Sequence, residues 1–127
     1  MLRIETGVDL AEIPRIAKAM EKEAFLRRFF SEEERAYFRE RAMAPQTVAG
    51  HFAAKEAFSK AMGTGVRGFS LAEVSVVHDP LGRPALRLTG KAEELARGWR
   101  FALSITHTKD TAAAFVTAWR EEEEERP

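Results

Sequence analysis

Two groups of polar residues in this sequence have the types and spacing needed for metal and phosphate chemistry. The first is Asp9, which follows Gly7 and Val8 where a predicted strand gives way to a turn. The second is the pair Glu56 and Lys60, which lie four residues apart on a predicted helix and therefore share one face. Mg²⁺ typically binds one or two carboxylates together with substrate phosphates, and lysine supplies a positive charge to a phosphate. We therefore expect Asp9 and Glu56 to hold Mg²⁺ and Lys60 to contact a phosphate.

Both groups also have an ordinary structural explanation. An aspartate at the end of a strand commonly caps a helix or forms a turn. Glu56 and Lys60 would also suit a solvent-exposed ion pair worth roughly 0.2–0.5 kcal/mol. Small residues around Glu56 argue for more than a surface pair, because they let another backbone segment approach the helix. They are Ala53, Ala54, Ala57 and Ala61.

A third polar group, Ser104, Thr106 and His107, lies near the end of a predicted strand. Alternation along the strand places Ser104 and Thr106 on one face and His107 on the other. These groups are suited to line a phosphate site, although an ordinary hairpin end with a solvated histidine has the same pattern.

Two glycine turns are weaker candidates. Gly63 and Gly65 would let backbone approach a phosphate, or would simply end a helix. Arg83, on a turn before Pro84, is more often solvated than ligand-binding. The other two histidines, His51 and His78, have no partner visible in the sequence and are interpreted as structural.

Hydrophobic periodicity and turn signals predict the elements that position these residues. Helices and antiparallel strands are segregated, so the fold class is α+β: a single small domain with an N-terminal strand, helices and an antiparallel sheet. Ser31 and Glu34 form a capping-box signature. The predicted strands are 3–9, 71–78, 84–88 and a hairpin of 101–107 with 111–119; the predicted helices start at Pro14, near Phe25 and at Ser31, and cover 46–62 and 91–97, the last capped by Thr89.

Length and composition restrict the function further. The 127 residues suit one domain, predicted at 1–120, followed by an acidic tail, 121–127, that we expect to be disordered. The chain has no cysteine, which excludes disulfides and thiolate chemistry. No apolar run is long enough to span a bilayer, and the N-terminus lacks the order of a signal peptide. We expect a cytoplasmic protein without membrane partners.

The zero net charge hides an asymmetry. Five of the 20 acidic residues form the run Glu121–Glu125, and Arg126 is the one basic residue beyond position 120. Residues 1–120 therefore carry 19 basic and 15 acidic side chains, a net charge of +4. This mild excess favours an anionic partner, but it is weak for nucleic acid, and no pattern of stacking aromatic and basic residues is present.

In this order, the segments resemble the holo-acyl-carrier-protein synthase family, the small single-repeat 4′-phosphopantetheinyl transferases. The resemblance covers nearly all of residues 1–119; the segment 55–60 and the serine–histidine strand end are specific, whereas the glycine turns are not. The matching residues are Gly7-Val8-Asp9, Arg15-Ile16, Phe30-Ser31, Glu34, Tyr37, Ala49-Gly50, the segment 52–61, Gly63-Thr64-Gly65, Gly82-Arg83-Pro84 and the segment 104–108.

The resemblance implies a Mg²⁺-dependent enzyme that transfers 4′-phosphopantetheine from coenzyme A to a serine of an acidic acyl carrier protein. Asp9 and Glu56 fall on metal-ligand positions, and Lys60 completes the predicted catalytic set. The family is trimeric, with each site shared between neighbouring subunits. Residues at the carrier-docking positions are Arg15, Arg27 and Arg28, and those expected to contact coenzyme A are Lys60, Gly63, Gly65, Arg83, Pro84, Ser104, Thr106 and His107.

One departure stands out, because His51 occupies a position where the family commonly has arginine. If that arginine binds a phosphate or the carrier, we expect His51 to do so weakly or only when protonated. Two other functions fit parts of the pattern: a different Mg²⁺-dependent phosphoryl or nucleotide transferase, and a non-catalytic coenzyme A-binding module. Fatty-acid synthesis is the expected setting.

Overall fold

The computed structural model describes residues 1–63 and 68–123, which form one antiparallel sheet, a separate two-stranded ribbon and five helices. The large sheet has the strand order β1-β5-β4, and β2 pairs with β3. Both sheets are antiparallel, which confirms the α+β class. In chain order the elements are β1 (Leu2–Glu12), α1 (Ile13–Ala19), α2 (Glu23–Phe29), α3 (Glu32–Glu40), α4 (Pro45–Ala61), a 3-10 turn (Leu71–Glu73), β2 (Val74–His78), β3 (Pro84–Leu88), α5 (Gly90–Leu95), β4 (Arg100–His107) and β5 (Thr111–Glu121).

Helix α4 is the centre of the fold because it packs against the inner face of the three-stranded sheet. Most of its residues are buried, including Val48, Ala53 and Phe58. The inner face of β5 is made of small and β-branched residues, such as Ala114 and Val116, that leave room for the helix. In the part of the chain that the structure describes, no helix is long and apolar enough to cross a membrane.

The opposite face of the same sheet, here called the outer sheet face, is not covered by any helix of residues 1–63 and 68–123. Its residues alternate with the buried ones along each strand. Leu10 is 68% exposed and Phe115 is 45% exposed, although both are large and apolar. The registers place Val8 and Ser104 on either side of Phe115, and Leu10 and Thr106 on either side of Ala113. The outer sheet face of one chain is therefore an apolar surface with polar residues at its β4 edge.

Gly7 lies where β1 crosses α4, and it lets the two backbones come into contact. A Cβ atom added at Gly7 would lie 2.0 Å from the carbonyl oxygen of Ala57 and 2.7 Å from the amide nitrogen of Ala61. Small residues on both elements therefore hold the strand directly against the helix, as the alanines around Glu56 predicted. This crossing brings Asp9, two residues after Gly7, beside the C-terminal half of α4.

Replacement of Gly7 by alanine is expected to destabilise the fold and to displace Asp9 from α4. The new methyl group would overlap backbone atoms that cannot rotate away, so the strand must shift, at a cost of roughly 1–3 kcal/mol. Thermal unfolding and transfer activity should both decline. Gly98→Ala is the comparison variant: its Cβ has open space, so any loss of stability there comes from alanine at a φ of +85° rather than from overlap, and its transfer activity should be retained. A Gly7→Ala protein with normal stability and activity would contradict the close crossing.

Most predicted elements are confirmed, but the start of one strand and the cap of one helix are wrong. The capping box is present, because Ser31 accepts a hydrogen bond from the Glu34 amide and the Glu34 side chain accepts one from the Ser31 amide. The strand predicted from residue 71 starts only at Val74, since Ser70 caps a 3-10 turn. Thr89 does not cap α5 with its side chain; the carboxylate of Glu73 accepts the Lys91 amide instead.

The C-terminal strand extends beyond the predicted domain boundary at residue 120. Strand β5 includes Glu121, and the amide of Glu122 donates to the Met1 carbonyl. The Glu122 carboxylate also lies 3.2 Å from a guanidinium nitrogen of Arg3. Glu121 therefore belongs to the sheet and Glu122 is hydrogen-bonded just beyond it, whereas residues 124–127 lie outside the described part of the chain.

Candidate active site

Asp9 and Lys60, which are 51 residues apart in the chain, contact each other where β1 crosses α4. The Lys60 ammonium donates to Asp9 Oδ1 over 2.9 Å and to the Val8 carbonyl over 3.1 Å. The Asp9 side chain is 18% exposed and that of Lys60 is 56% exposed, so the pair lies at the surface with the carboxylate sheltered. Asp9 and Lys60 therefore lie together within a single chain.

Glu56, one helical turn before Lys60, faces the same site. Burial raises the pKa of Glu56, the negative charge of Asp9 raises it further, and Lys60 opposes the shift. The two carboxylates lie close enough for their charges to interact. Asp9 and Glu56 therefore form a pair of acids whose mutual repulsion a cation would relieve.

This pair of carboxylates fits a magnesium ion in type and number. No cluster of three or more His, Asp or Glu side chains suited to a metal is present among residues 1–63 and 68–123. A site with only two protein ligands is still typical of Mg²⁺, which keeps waters and substrate phosphates in its other positions. Such a site is completed by an anionic substrate, and Lys60 adds a positive charge beside it.

Residues predicted to contact coenzyme A from the β2–β3 and β4 segments form a second site. Pro84 and His107 line a pocket of about 220 Å³, here called the histidine pocket. Its wall on α4 includes Gly50 and His51, which lie nine or more residues before Lys60, or at least about 13 Å along the helix axis. Arg83 lines an adjoining groove with Tyr37 and His78. Within one chain, the predicted site residues therefore lie in two separate places along α4: beside Lys60 and at the histidine pocket.

Ser104 and Thr106 belong to neither place. Both lie on the outer sheet face, on the side of the sheet opposite α4, because β4 points Leu103 and Ile105 towards the helix. They are exposed and flank β5 residues of the same face. Within one chain, these two residues are separated from Asp9 and Glu56 by the thickness of the sheet.

The two predicted glycines have different outcomes. Gly63 directly follows the end of α4 with a φ of +71°, and its amide donates to the Lys60 carbonyl. It therefore ends the helix beside the Lys60 residue, in the left-handed conformation that glycine adopts most easily. Gly65 lies outside the described residues.

Arg15 borders an apolar groove that lies next to the carboxylate pair. The groove has a volume of about 430 Å³, and its apolar lining residues are Leu10, Ile16, Phe25 and Phe52. One acid, Glu12, also lines it. A cationic residue at the edge of an apolar groove suits a partner that presents an apolar side chain among acidic ones.

The other two predicted docking residues lie at the end of α2. Arg27 pairs with Glu23 at 2.9 Å on the same helix, and both side chains are exposed. The guanidinium of Arg28 lies over the ring of Phe29. Both arginines present their charge at the surface.

A buried polar network, which the sequence analysis did not anticipate, lies behind the histidine pocket. Glu34, Lys55 and His51 are almost completely buried. Lys55 donates to Glu34 Oε1 and to the carbonyls of Leu71 and Val74. A signal for this network was present, because His51, Lys55 and Ser59 recur every four residues along an otherwise apolar helix.

Comparison with known proteins gives a consistent result. Residues 5–118 match the family model described as the 4′-phosphopantetheinyl transferase superfamily. The holo-[acyl-carrier-protein] synthase of Clostridium botulinum (strain Alaska E43 / Type E3) is 42% identical over 113 residues, which cover 87% of this chain and 92% of that protein. The enzyme of the same name from Caldanaerobacter subterraneus subsp. tengcongensis is 40% identical over 121 residues, covering 92% and 95%.

Solved structures agree with the sequence comparison. The crystal structure of a holo-(acyl-carrier-protein) synthase from Bacillus anthracis str. Ames, in complex with CoA (3′,5′-ADP), superposes with a TM-score of 0.81 at 32% sequence identity. The match covers 95% of this chain and 100% of that one. The likeness therefore extends over the whole fold.

Proposed function

The chain belongs to the 4′-phosphopantetheinyl transferase superfamily, and from that premise we propose that Asp9, Glu56 and Lys60 form its Mg²⁺-dependent transfer centre. The activity is that of a holo-[acyl-carrier-protein] synthase: the enzyme transfers the 4′-phosphopantetheine group of coenzyme A to a serine of an apo acyl carrier protein. The observation that carries the proposed centre is the contact between Lys60 and Asp9 at the crossing of β1 and α4, with Glu56 facing the same space.

The reaction defines what the protein must supply. The carrier serine oxygen forms a bond to the β-phosphorus of coenzyme A, the bond to the other phosphate of the pyrophosphate breaks, and adenosine 3′,5′-bisphosphate leaves. The serine proton must be accepted as this bond forms. A carboxylate at the site suits that task, and Glu56, acting directly or through bound water, is the proposed acceptor.

The negative charge of the pyrophosphate is the main obstacle to the reaction. Mg²⁺ held by Asp9 and Glu56 would supply charge neutralisation to the phosphates. Lys60 adds a second positive charge from the exposed end of α4, where it reaches over Asp9. In the free enzyme the Lys60 ammonium pairs with Asp9, so the Asp9 carboxylate has a counter-charge before the substrate binds.

We infer a trimer, with each site between two subunits, as the family resemblance implies; the outer sheet face and the two separate locations of the predicted coenzyme A residues support self-association. An apolar sheet face of this kind is uncommon on a monomer and marks an interaction surface. Ser104 and Thr106, which lie on it, would then face the neighbouring subunit. A self-associated enzyme would also let the Asp9 site of one chain meet the histidine pocket of another. The molar mass from light scattering tests this, and a monomeric active enzyme would refute it.

We infer that the carrier docks on the groove beside Arg15, with Arg27 and Arg28 as further cationic contacts. The groove ends at Leu10, next to Asp9, so a carrier seated there would present its serine close to the carboxylate pair. Phe25 and Phe52 would supply the apolar contact, and the arginines would attract the acidic surface of the carrier.

Reversal of the charge at Arg15 is expected to raise the KM for the carrier by about tenfold, which corresponds to about 1.4 kcal/mol. The KM for coenzyme A should change little, because Arg15 lies outside the histidine pocket. Initial rates of Arg15→Glu with each substrate varied in turn measure both values. Arg97→Glu, an exposed reversal after α5, is the matched control. Equal losses for the two substrates would refute the docking site.

The proposed function is tested by incubating the protein with an apo carrier, coenzyme A and Mg²⁺ and measuring the intact mass of the carrier. We expect the carrier to gain the mass of phosphopantetheine and the gain to stop when the metal is chelated. Transfer that persists under chelation would refute the metal proposal, whereas binding of coenzyme A without any transfer would favour a non-catalytic module.

We also infer a cytoplasmic location, since a chain without cysteine has no need of an oxidising compartment.

A further inference from the structure

All three histidines of the chain line one pocket. His51 forms its inner wall, His78 lies at the end of β2, and His107 lies at the end of β4. Pro84 and His107 of the predicted coenzyme A set belong to the same pocket. The grouping is notable because the histidines are far apart in sequence and two of them touch each other.

The ring nitrogens of His51 and His78 form a continuous chain of contacts from the interior to the surface. His51 Nδ1 faces Glu34 Oε2 at 2.9 Å, and His51 Nε2 faces His78 Nε2 at 3.0 Å. His78 Nδ1 faces the Gly82 carbonyl at 3.3 Å, the longest of the three contacts. The ring of Tyr37 stacks on His78, with ring centroids 4.3 Å apart and nearly parallel planes.

Counting protons shows that two neutral imidazoles cannot satisfy this chain. Each of the three contacts needs one hydrogen, because the Gly82 carbonyl and the ionised Glu34 only accept. Two neutral rings carry two hydrogens between them. The full set of contacts therefore requires one additional proton, which makes the His51–His78 pair a cation. Without that proton, one contact has no hydrogen, and the Gly82 contact is the weakest by length.

The groups around the pair determine how firmly the additional proton is held. Glu34 and Lys55 face His51 from α3 and α4, and their charges offset each other because they form an ion pair. Burial lowers the pKa of His51, His78 and Lys55 lower it further, and Glu34 opposes them. The other charged or titratable groups around the pair come from α3, β3, the turn after β2 and β4: they are Glu33, Tyr37, Glu40, Arg41, Asp79, Arg83, Arg87 and His107.

We propose that the His51–His78 pair takes up one proton when a phosphate group of coenzyme A enters the histidine pocket. The inference rests on the proposed function, which supplies the ligand. A phosphate at the mouth of the pocket provides the counter-charge that the free enzyme lacks. The protonated pair then binds the anion and completes its hydrogen bond to Gly82, the residue before Arg83. His51 and His78 thus act as positioning residues for the Gly82–Pro84 turn as well as a source of charge.

Linkage sets the sign of the pH dependence. The bound phosphate favours the protonated pair, so ligand binding and proton binding strengthen each other. Affinity for coenzyme A should therefore rise as the pH falls, by at most about tenfold per pH unit for one proton. The affinity for coenzyme A should change within a limited pH range. The upper end of that range is the pKa of the His51–His78 pair with phosphate bound, and the lower end is the pKa of the pair in the free enzyme.

Calorimetric titration of the Mg²⁺-loaded enzyme with coenzyme A tests the proposal, with no carrier present so that nothing turns over. Titrations at neutral pH in buffers of small and large ionisation enthalpy give the number of protons taken up. We expect uptake to be larger for the natural protein than for His78→Gln, by a substantial fraction of one proton per site. The phosphate of the ligand also titrates, with a pKa near about 6, but its contribution is common to both proteins and cancels in the difference.

His107→Gln tests the other imidazole of the pocket and leaves the contacts of the pair intact. Because His107 belongs to the predicted coenzyme A set, the affinity for coenzyme A is expected to fall, but the proton uptake per bound coenzyme A should still exceed that of His78→Gln. Equal uptake by the natural protein and His78→Gln would overturn the proposal, and so would loss of uptake only in His107→Gln. Tight binding of coenzyme A without excess uptake would leave the proposed function standing while refuting the proton coupling. Failure to bind coenzyme A at all would refute both.

Discussion

Replacement of Glu56 by glutamine will lower the rate of phosphopantetheine transfer by about 10²- to 10⁴-fold, the range attributable to a positioned acid–base group. The amide keeps the shape of the side chain but neither accepts the serine proton nor carries charge for a cation. Asp9 and Lys60 keep their own contact in this variant, since Glu56 takes no part in it. The loss should therefore appear in kcat rather than in the folding of the site.

The same substitution should leave stability unchanged or slightly improved, which separates a lost function from a lost fold. A raised pKa in the folded state means that ionised Glu56 opposes folding. The stabilising contribution of protonated Glu56 is fully present below the pKa of glutamate in the unfolded chain. It is lost as the pH rises through the pKa of Glu56 in the folded protein. Without Mg²⁺, Glu56→Gln should therefore unfold at the same or a higher temperature than the natural protein near pH 7, and the advantage should vanish in acid.

The transfer rate is measured by the mass of the carrier, and the fold by thermal unfolding of the same samples. Glu94→Gln, an exposed change of the same kind on α5, is the matched control and should behave like the natural protein. A near-normal rate for Glu56→Gln with Mg²⁺ would show that the metal and base assignments are wrong. A large loss of stability would show instead that Glu56 is a structural residue.

The local parts of the fold were predictable because their causes lie within a few residues. The capping box joins Ser31 to Glu34, and the β4–β5 hairpin closes around a short polar turn. The cap of helix α5 could not be predicted in this way, because it comes from Glu73 rather than from the adjacent Thr89. A carboxylate supplied from 18 residues away leaves no mark in the sequence next to the helix.

The candidate site was predictable in part. The small residues on α4 indicated that another backbone segment could approach the helix, and Asp9, Glu56 and Lys60 were expected at one site, but the direct contact of Lys60 with Asp9 was not predicted. His51 and His78 were interpreted as structural because each lacks a partner nearby in sequence, yet they are partners of each other across 27 residues. Lys55 was missed for a related reason: beside Glu56 it resembles one more surface charge. Only the fold shows that consecutive residues on α4 point to the site and to the core.

The most severe loss of stability is expected from Lys55→Met, which removes the positive charge from the buried network. Lys55 is fully buried, and its three ammonium hydrogens meet three acceptors, Glu34 and two backbone carbonyls. Three acceptors require the charged form, even though burial lowers the pKa of Lys55. Methionine fills a similar volume but leaves the Glu34 carboxylate buried without its cation. Breaking a buried pair in this way costs about 3–5 kcal/mol.

The loss of stability in Lys55→Met is expected to come from the unpaired charge of Glu34, rather than from a general effect of changing a core residue. Burial opposes ionisation of Glu34, but the hydrogen bond from His51 and the charge of Lys55 outweigh it and hold the pKa of Glu34 below its ordinary value. When Lys55 is absent, His51 and the amide and hydroxyl of Ser31 remain to support the carboxylate, and none of them carries the charge of a lysine. Glu34→Gln should be destabilising for the converse reason, since it leaves Lys55 charged and unpaired.

A double-mutant cycle tests the pair directly. Because Glu34→Gln combined with Lys55→Met leaves no unpaired charge, the double variant should lose less stability than the two single losses added together, with a coupling of about 0.5–3 kcal/mol. Urea unfolding at one fixed protein concentration gives the four free energies, and the exposed substitution Lys18→Met on α1 is the control, expected within about 0.5 kcal/mol of the natural protein. Strict additivity, or a loss below about 1 kcal/mol for Lys55→Met, would mean that the two side chains are not held as an ion pair. The network that ties α3 and α4 to the β2 segment would then rest on apolar packing alone.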